Sequence, residues 1–246
     1  MAILVTGGTK GIGLDIARAF AEPGVDVFLN YASDDGAAAL AKTSIEARHA
    51  RCHLIKGDVG TPECAAAVIE AVKRECKQLD QLVHAAVKPY ITSALEADGH
   101  ELAQAVGVNG LALQYLVRAA LPLFVPGSTV FFLSSRGGRM VIANYVAVGI
   151  SKALAESLVR YLAVELAPRG VRINCVAPSV VDTDAVRTLF GHKTDDIMRH
   201  AASDNPSGRA VAPEDYTGLI RYLASPAAAF IQGQVIYVNG GHNLMA

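Results

Sequence analysis

The chain has 246 residues, 52% of them hydrophobic, which suits one core of the α/β size range and leaves no expectation of a second domain. Twenty-two Lys plus Arg against 23 Asp plus Glu give a net charge of -1, which excludes the electrostatic footprint of a nucleic-acid or anionic-membrane binder and points to a small-molecule partner. The four cysteines, Cys52, Cys64, Cys76 and Cys175, fit neither a CxxC metal or redox motif nor a disulfide framework, so packed thiols and no metal site are expected.

Short β-rich runs alternate with longer helical patterns. The runs are 3–5, 25–30, 52–56, 81–85, 129–133, 171–176 and 234–238. Seven strands alternating with helices require parallel pairing through right-handed crossovers, hence a doubly wound sheet covered on both faces. Motif residues begin at Thr6, which leaves no room for a signal peptide, and the apolar run 111–125 is broken by Gln114 and Arg118. A cytoplasmic protein is expected.

The first turn reads Gly7-Gly8-Thr9-Lys10-Gly11-Ile12-Gly13 between the opening strand and the helical pattern Leu14, Ile16, Ala17, Phe20. In that context the glycines let the backbone approach a diphosphate, whose charge the free N–H groups and the helix N-terminus stabilise. A purely structural turn is the alternative. At the end of the second strand Asn30-Tyr31-Ala32-Ser33-Asp34 puts no carboxylate directly at the adenosine ribose. With Lys10 and Ser33 nearby this favours NADP(H), whereas Asp34 and Asp35 favour NAD(H).

Asp58-Val59 follows the third strand, where it can meet an adenine; a helix N-cap is the competing role, although Thr61 before Pro62 is better placed for capping. His84, in His84-Ala85-Ala86-Val87 along the dinucleotide path, reads equally as a core histidine and a functional one. Tyr145 and Lys152 then head an apolar segment ending near Leu166. On a helix their Cα atoms lie roughly 10.5 Å apart along one face, a phenol and an ammonium able to serve as proton donor and tuner. Two residues on a solvated helix edge would show the same spacing.

Residues 179–213 lose strand periodicity and carry Thr183, Arg187, His192, Lys193, Arg199, His200 and Arg209. Irregular chain of that length beyond a strand end suggests a substrate lid. Its cations could meet a phosphopantetheine phosphate or an acidic carrier protein, or form a solvated helix face. Leu189, Phe190, Ile197 and Met198 would line an acyl pocket or pack the lid down. The apolar stretches 144–166 and 231–245 exceed what one sheet face needs, so subunit contact is expected.

Taken together, Thr6-Gly7-x3-Gly11-Ile12-Gly13, Asp58-Val59, Asn109 in the fourth helix, Ser134-Ser135 ending the fifth strand, Tyr145 with Lys152, and Pro178-x4-Thr183 resemble the short-chain dehydrogenase/reductase family over nearly the whole chain. The resemblance implies a single Rossmann-type domain, a nicotinamide cofactor and a homotetramer or homodimer. It also implies cofactor contacts from Gly7, Thr9, Lys10, Gly11, Ile12 and Gly13; from Tyr31, Ser33, Asp58 and Val59; and from Ala85, Ala86, Lys152, Pro178, Val181 and Thr183. Ser135, Asn109, Tyr145 and Lys152 would form the catalytic set.

Most members carry Tyr-x3-Lys, but Val148 stands four before Lys152 and the tyrosine lies a turn earlier. Tyr-x6-Lys resembles the NADPH-dependent enoyl-acyl-carrier-protein reductases of the third type. The shift has a chemical reason. A ketone takes hydride on the carbon bearing its oxygen, whereas an enoyl thioester takes it at C3 and gathers charge on the oxygen at C1. Moving the phenol one turn, roughly 4.5 Å, matches those two intervening bonds. Tyr145 is then expected to donate to the enolate oxygen, Lys152 to hold the ribose and lower the phenol's pKa, Ser135 to hold the thioester, and Asn109 to serve the proton path. The substrate would be an enoyl group on acyl carrier protein or coenzyme A. Two alternatives remain: a carbonyl reductase or alcohol dehydrogenase using the displaced Tyr145, and a non-catalytic NADP(H) sensor.

Overall fold

The structure is a computed structural model and describes residues 1–242. Seven strands form one sheet: β1 (Ala2–Thr6), β2 (Asp26–Tyr31), β3 (Arg51–Lys56), β4 (Gln81–His84), β5 (Thr129–Leu133), β6 (Arg172–Pro178) and β7 (Val235–Val238). All pairs are parallel and the order is β3-β2-β1-β4-β5-β6-β7. The chain therefore reverses direction across the sheet between β1 and β4, which opens a crevice at their carboxyl ends.

Every residue of β1 and β5 is buried, as the continuous apolar runs Ala2-Ile3-Leu4-Val5 and Val130-Phe131-Phe132-Leu133 require when both sheet faces are covered. One face packs α1 (Gly11–Phe20), α2 (Asp35–Glu46) and α9 (Pro213–Ala224), with Ile3, Val5, Val27 and Phe131 meeting Ile16, Ile45 and Tyr216. The other packs α3 (Pro62–Glu75), α5 (Ala112–Ala120) and α6 (Val146–Leu166), with Leu4, Phe28, Leu82 and Phe132 meeting Ile69, Leu116 and Val159. Thr61 caps α3 by accepting from the Cys64 N–H, and Pro62 opens the helix. No described helix is long and apolar enough to cross a membrane.

Three expectations from the sequence are corrected. Asn144 adopts a left-handed backbone with φ of 59°, so α6 starts at Val146 and Tyr145 is its N-cap rather than a residue of the helix face. Asn109 lies in a single π-helical turn, Gly107–Leu111, between α4 (Gly99–Val106) and α5, rather than in an α-helix. Residues 179–213 are not irregular: they include α7 (Asp184–Phe190) and α8 (Thr194–Ser203), each fully helical in its backbone bonds. Of the apolar stretch 231–245, residues 243–245 lie outside the described part.

Candidate active site

Beyond β1 the chain turns sharply at Gly7 (φ 63°) and Gly11 (φ 48°) before α1. A Cβ on Gly7 would lie 2.7 Å from the Ala86 Cα, one on Gly11 2.7 Å from the Thr183 methyl, and one on Gly13 2.2 Å from the Gly7 carbonyl oxygen. Only glycine permits these approaches. The result is a cleft of about 1030 Å³ running from Thr9–Gly13 past Tyr31–Asp34 and Asp58–Thr61 to Ala85–Pro89, closed by Thr183–Ala185. Its length and its position at the α1 N-terminus fit a dinucleotide with its diphosphate over the glycine turn. Gly7, Thr9, Lys10, Gly11, Ile12, Gly13, Tyr31, Ser33, Asp58, Val59, Ala85, Ala86 and Thr183 all line it, whereas Lys152, Pro178 and Val181 do not.

At the adenosine end, Lys10 pairs with Asp34 at 2.5 Å and with Asp184 at 3.0 Å, and these hydrogen bonds hold its ammonium above the usual lysine range. Asp34 also caps α2 by accepting from the Ala37 N–H, so its carboxylate already serves one cation and a backbone donor. Asp184 had no place in the sequence reading. It and Lys10 stand in separate loops, and only the fold brings them together. Asp58 accepts from the N–H groups of Val59 and Gly60, which shapes the turn beneath the adenine end while Thr61 does the capping.

His84 is a core residue. Its Nε2–H donates to the Val108 carbonyl at 2.9 Å, since a carbonyl can only accept, and its Nδ1 therefore accepts from the Thr6 hydroxyl at 2.7 Å. Burial and the nearby Lys152 charge push its pKa down to about 3, so the ring is neutral. Asn109 clamps the adjoining loop: its Oδ1 accepts from Lys88 N–H at 2.6 Å and its Nδ2 donates to the Lys88 carbonyl at 3.0 Å. Glycines on either side of it let the π turn nestle in, a Cβ at Gly107 falling 2.7 Å from the Gly60 carbonyl and one at Gly110 2.9 Å from the Ser151 carbonyl. The π turn thus fixes the wall of the crevice at Lys88.

Tyr145 sits half-buried at the carboxyl end of β5. Its ring lies on Gly137, where a Cβ would come within 2.5 Å of it, and the Phe190 ring of α7 stacks over it at 6.4 Å and 10°. Its backbone pairs with Thr92 as an isolated bridge, and its carbonyl accepts from the Gly149 N–H to start α6. Burial raises the phenol's pKa, opposed by the Ser135 hydroxyl hydrogen-bonded to it and by the Arg136 charge. Lys152 does not act on the phenol here, contrary to the expectation that it tunes Tyr145. Its ammonium donates to the Leu133 carbonyl at 2.7 Å, lies 4.6 Å from the Phe132 ring centre, and is pulled down to about 8 by burial.

One turn along α6, the buried Glu156 accepts from the Ser134 hydroxyl at 2.6 Å and from Arg139 at 3.2 Å, and its charge offsets part of the desolvation of Lys152. The sequence reading passed over Glu156 and Arg136, although Glu156 stands four residues from Lys152 and so on its helix face. Val148, at the position where most relatives of this pattern carry tyrosine, is buried in the packing of α6.

A parallel sheet with a glycine-walled crevice at its direction switch, and a phenol and a buried lysine on the helix that follows β5, define a pyridine-nucleotide oxidoreductase of the Rossmann class. The chain belongs to the short-chain dehydrogenase/reductase family: residues 7–243 match the profile described as Enoyl-(Acyl carrier protein) reductase. It is 28% identical to 1-cyclohexenylcarbonyl-CoA reductase of Streptomyces collinus, over 99% of this chain and 87% of that one. It is 30% identical to the NADH enoyl-(acyl-carrier-protein) reductase FabI of Synechocystis sp. (strain ATCC 27184 / PCC 6803 / Kazusa), over 98% and 95% of the two chains. Among solved structures, angucycline C-6 ketoreductase LanV with bound NADP superposes with a TM-score of 0.87 at 27% identity, over 98% and 94%.

Proposed function

We propose that this oxidoreductase reduces the C2=C3 double bond of a trans-2-enoyl thioester with NADPH. The observation that carries the reading is the location of the phenol: Tyr145 caps α6 seven residues before Lys152, while the packed Val148 offers no proton where a ketone reductase of the common pattern needs one. The profile matched and two of the relatives, all described as enoyl or cyclohexenyl thioester reductases, support it.

Bound in the crevice, the nicotinamide supplies hydride. The chain's own residues manage the charge that follows. Burial keeps the Tyr145 phenol protonated, so it can donate to the enolate oxygen, and the Ser135 hydroxyl and Arg136 charge favour the phenolate that forms if the proton is given up. Lys152, anchored on the Leu133 carbonyl at the end of β5, is the cation we assign to the ribose hydroxyls, and Asn109 keeps the facing wall rigid through Lys88. C2 takes its proton from solvent or by relay from Tyr145. Phe190 covers the phenol and excludes water from it.

NADPH is favoured because the carboxylate nearest the ribose corner, Asp34, is engaged by Lys10 and the α2 N-terminus, and because Lys10 is the cation a 2′-phosphate would meet. The NADP bound to LanV agrees. An acyl group carried on acyl carrier protein or coenzyme A, and a homo-oligomer formed through α6, complete the proposal.

The test is NADPH oxidation with crotonyl-CoA beside acetoacetyl-CoA. Reduction of the enoyl substrate is expected, and Tyr145→Phe should lower its turnover by about a hundredfold or more with NADPH affinity nearly unchanged. Reduction of the ketone alone would instead establish a ketoreductase, the activity named for LanV. Tight NADPH binding without turnover of either would leave a nucleotide sensor.

A further inference from the structure

A second cleft, of about 410 Å³, opens between the segments that follow β5 and β6 and the underside of α8. Arg136, Ser179, Lys193 and His242 line it, together with Asp196 and Asp204. Its size suits a short substrate segment rather than a nucleotide. Arg136 directly follows Ser135, and its backbone is held in a tight turn, with the carbonyl accepting from the N–H groups of Arg139 and Met140.

The arginine's side chain is half-buried, yet among the described residues it has no carboxylate partner. Its single protein bond is from Nη1 to the His242 Nε2 at 2.8 Å, which leaves four guanidinium N–H groups without a protein acceptor among those residues. Neighbouring arginines are satisfied: Arg139 by Glu156, Arg187 by Asp182, Arg199 by Asp196 and Arg209 by Asp215. Of the two acids in the cleft, Asp196 is taken by Arg199, and Asp204 accepts from the Ser203 hydroxyl. Lys193 likewise forms no ion pair among the described residues. A planar cation left open at the mouth of a reaction site is suited to a bidentate oxyanion.

We propose that Arg136, assisted by Lys193, binds a carboxylate or phosphate group carried by the substrate, so that the enzyme selects thioesters bearing an anionic group on the acyl end or on the carrier. The inference rests on the proposed reductase reading for the reacting end alone; the anion site itself is a property of the cleft. The anion displaces solvent from the guanidinium and keeps the His242 contact on the opposite edge. It also places a negative charge where Arg136 would otherwise act on the Tyr145 phenol alone.

Three comparisons between the wild type and Arg136→Leu test this. The first sets kcat/KM for trans-glutaconyl-CoA against trans-2-pentenoyl-CoA, of equal chain length with and without a terminal carboxylate. The second sets crotonyl-CoA against the N-acetylcysteamine thioester of crotonate, which lacks phosphate. Because any effect of Arg136 on the phenol is common to both members of a pair, only the ratio is read. One of the two ratios should fall by at least about tenfold in Arg136→Leu: the first if the anion is on the acyl end, the second if it is on the carrier. Both ratios unchanged, with no ligand binding that depends on Arg136 in the third comparison, would overturn the proposal. The third measures calorimetric binding of glutarate, pentanoate and inorganic phosphate to the NADP-saturated protein. Wild-type binding of glutarate or phosphate that is lost in Arg136→Leu would uphold the anion site even if no enoyl thioester is turned over, and no binding of either by the wild type, together with no ratio change, would remove it.

Discussion

A neutral imidazole in the middle of a sheet has consequences for stability. The unfolded chain protonates His84 below its ordinary value of 6.5, the folded one only near 3, because burial and Lys152 oppose the charge. Between those limits the unfolded state holds the extra proton, so the native state loses stability as pH falls, by roughly 1.4 kcal/mol per pH unit from this residue. Urea unfolding midpoints followed from pH 7 to 4 should show this slope, and His84→Gln should flatten it. The glycine turn lines the crevice where the motif put it, and Ser135 stands hydrogen-bonded to Tyr145, which caps α6 instead of lying on its face. Roles were less legible. The pairing of Lys10 with Asp184 and the distance of Lys152 from the phenol's chemistry depend on which loops meet, and no local pattern encodes that. A lone Arg136 in a Gly-rich stretch looks like any solvated cation until a cleft forms around it.

At the scale of elements, Gly137 and the α6 N-terminus form one unit. The short turn after β5 must pass under the Tyr145 ring, and the Gly137 carbonyl sits where a Cβ on Gly149 would fall 2.8 Å away. Gly137→Ala would push the ring off this seat. Overpacking of this kind costs about 1–3 kcal/mol, and turnover should drop by about tenfold or more while NADPH affinity stays close to wild type. Thermal melting and steady-state kinetics on the purified variant check both. The strands were readable because continuous β-branched and aromatic runs bounded by Gly, Asp and Asn have few other uses in an alternating chain. Helix starts were not. Periodicity alone runs α6 back to Asn144, and the left-handed backbone there is a local decision made by the bridge to Thr92. The π turn is equally silent in sequence, since it reflects glycines packed against Gly60 and Ser151 from other segments.

For the whole molecule, α6 presents Ile150, Tyr161 and Val164 outward, and Phe230 stands fully exposed after α9. Apolar side chains of this size on one helix are what a copy of the chain would cover. Light scattering should give a multiple of the 25.8 kDa chain, and the double variant Tyr161→Glu, Val164→Glu should shift it to the monomer mass. The doubly wound sheet itself followed from alternation and the handedness of crossovers, which leave few topologies for seven parallel strands. The helical content of 184–203 did not follow. Those helices are short, polar and bury little, so their order comes from caps such as Thr183 and from the rest of the protein beneath them.

The stacking of Phe190 on Tyr145 links the position of α7 to the acid strength of the phenol. One aromatic plate lies along the phenol ring and helps keep it dry. A displacement of α7 that uncovered the ring would wet the hydroxyl and make it a stronger acid, and its return would restore a group that holds its proton firmly. The position of α7 and the phenol's titration are thus one coordinate, and a substitution at Phe190 would alter both together.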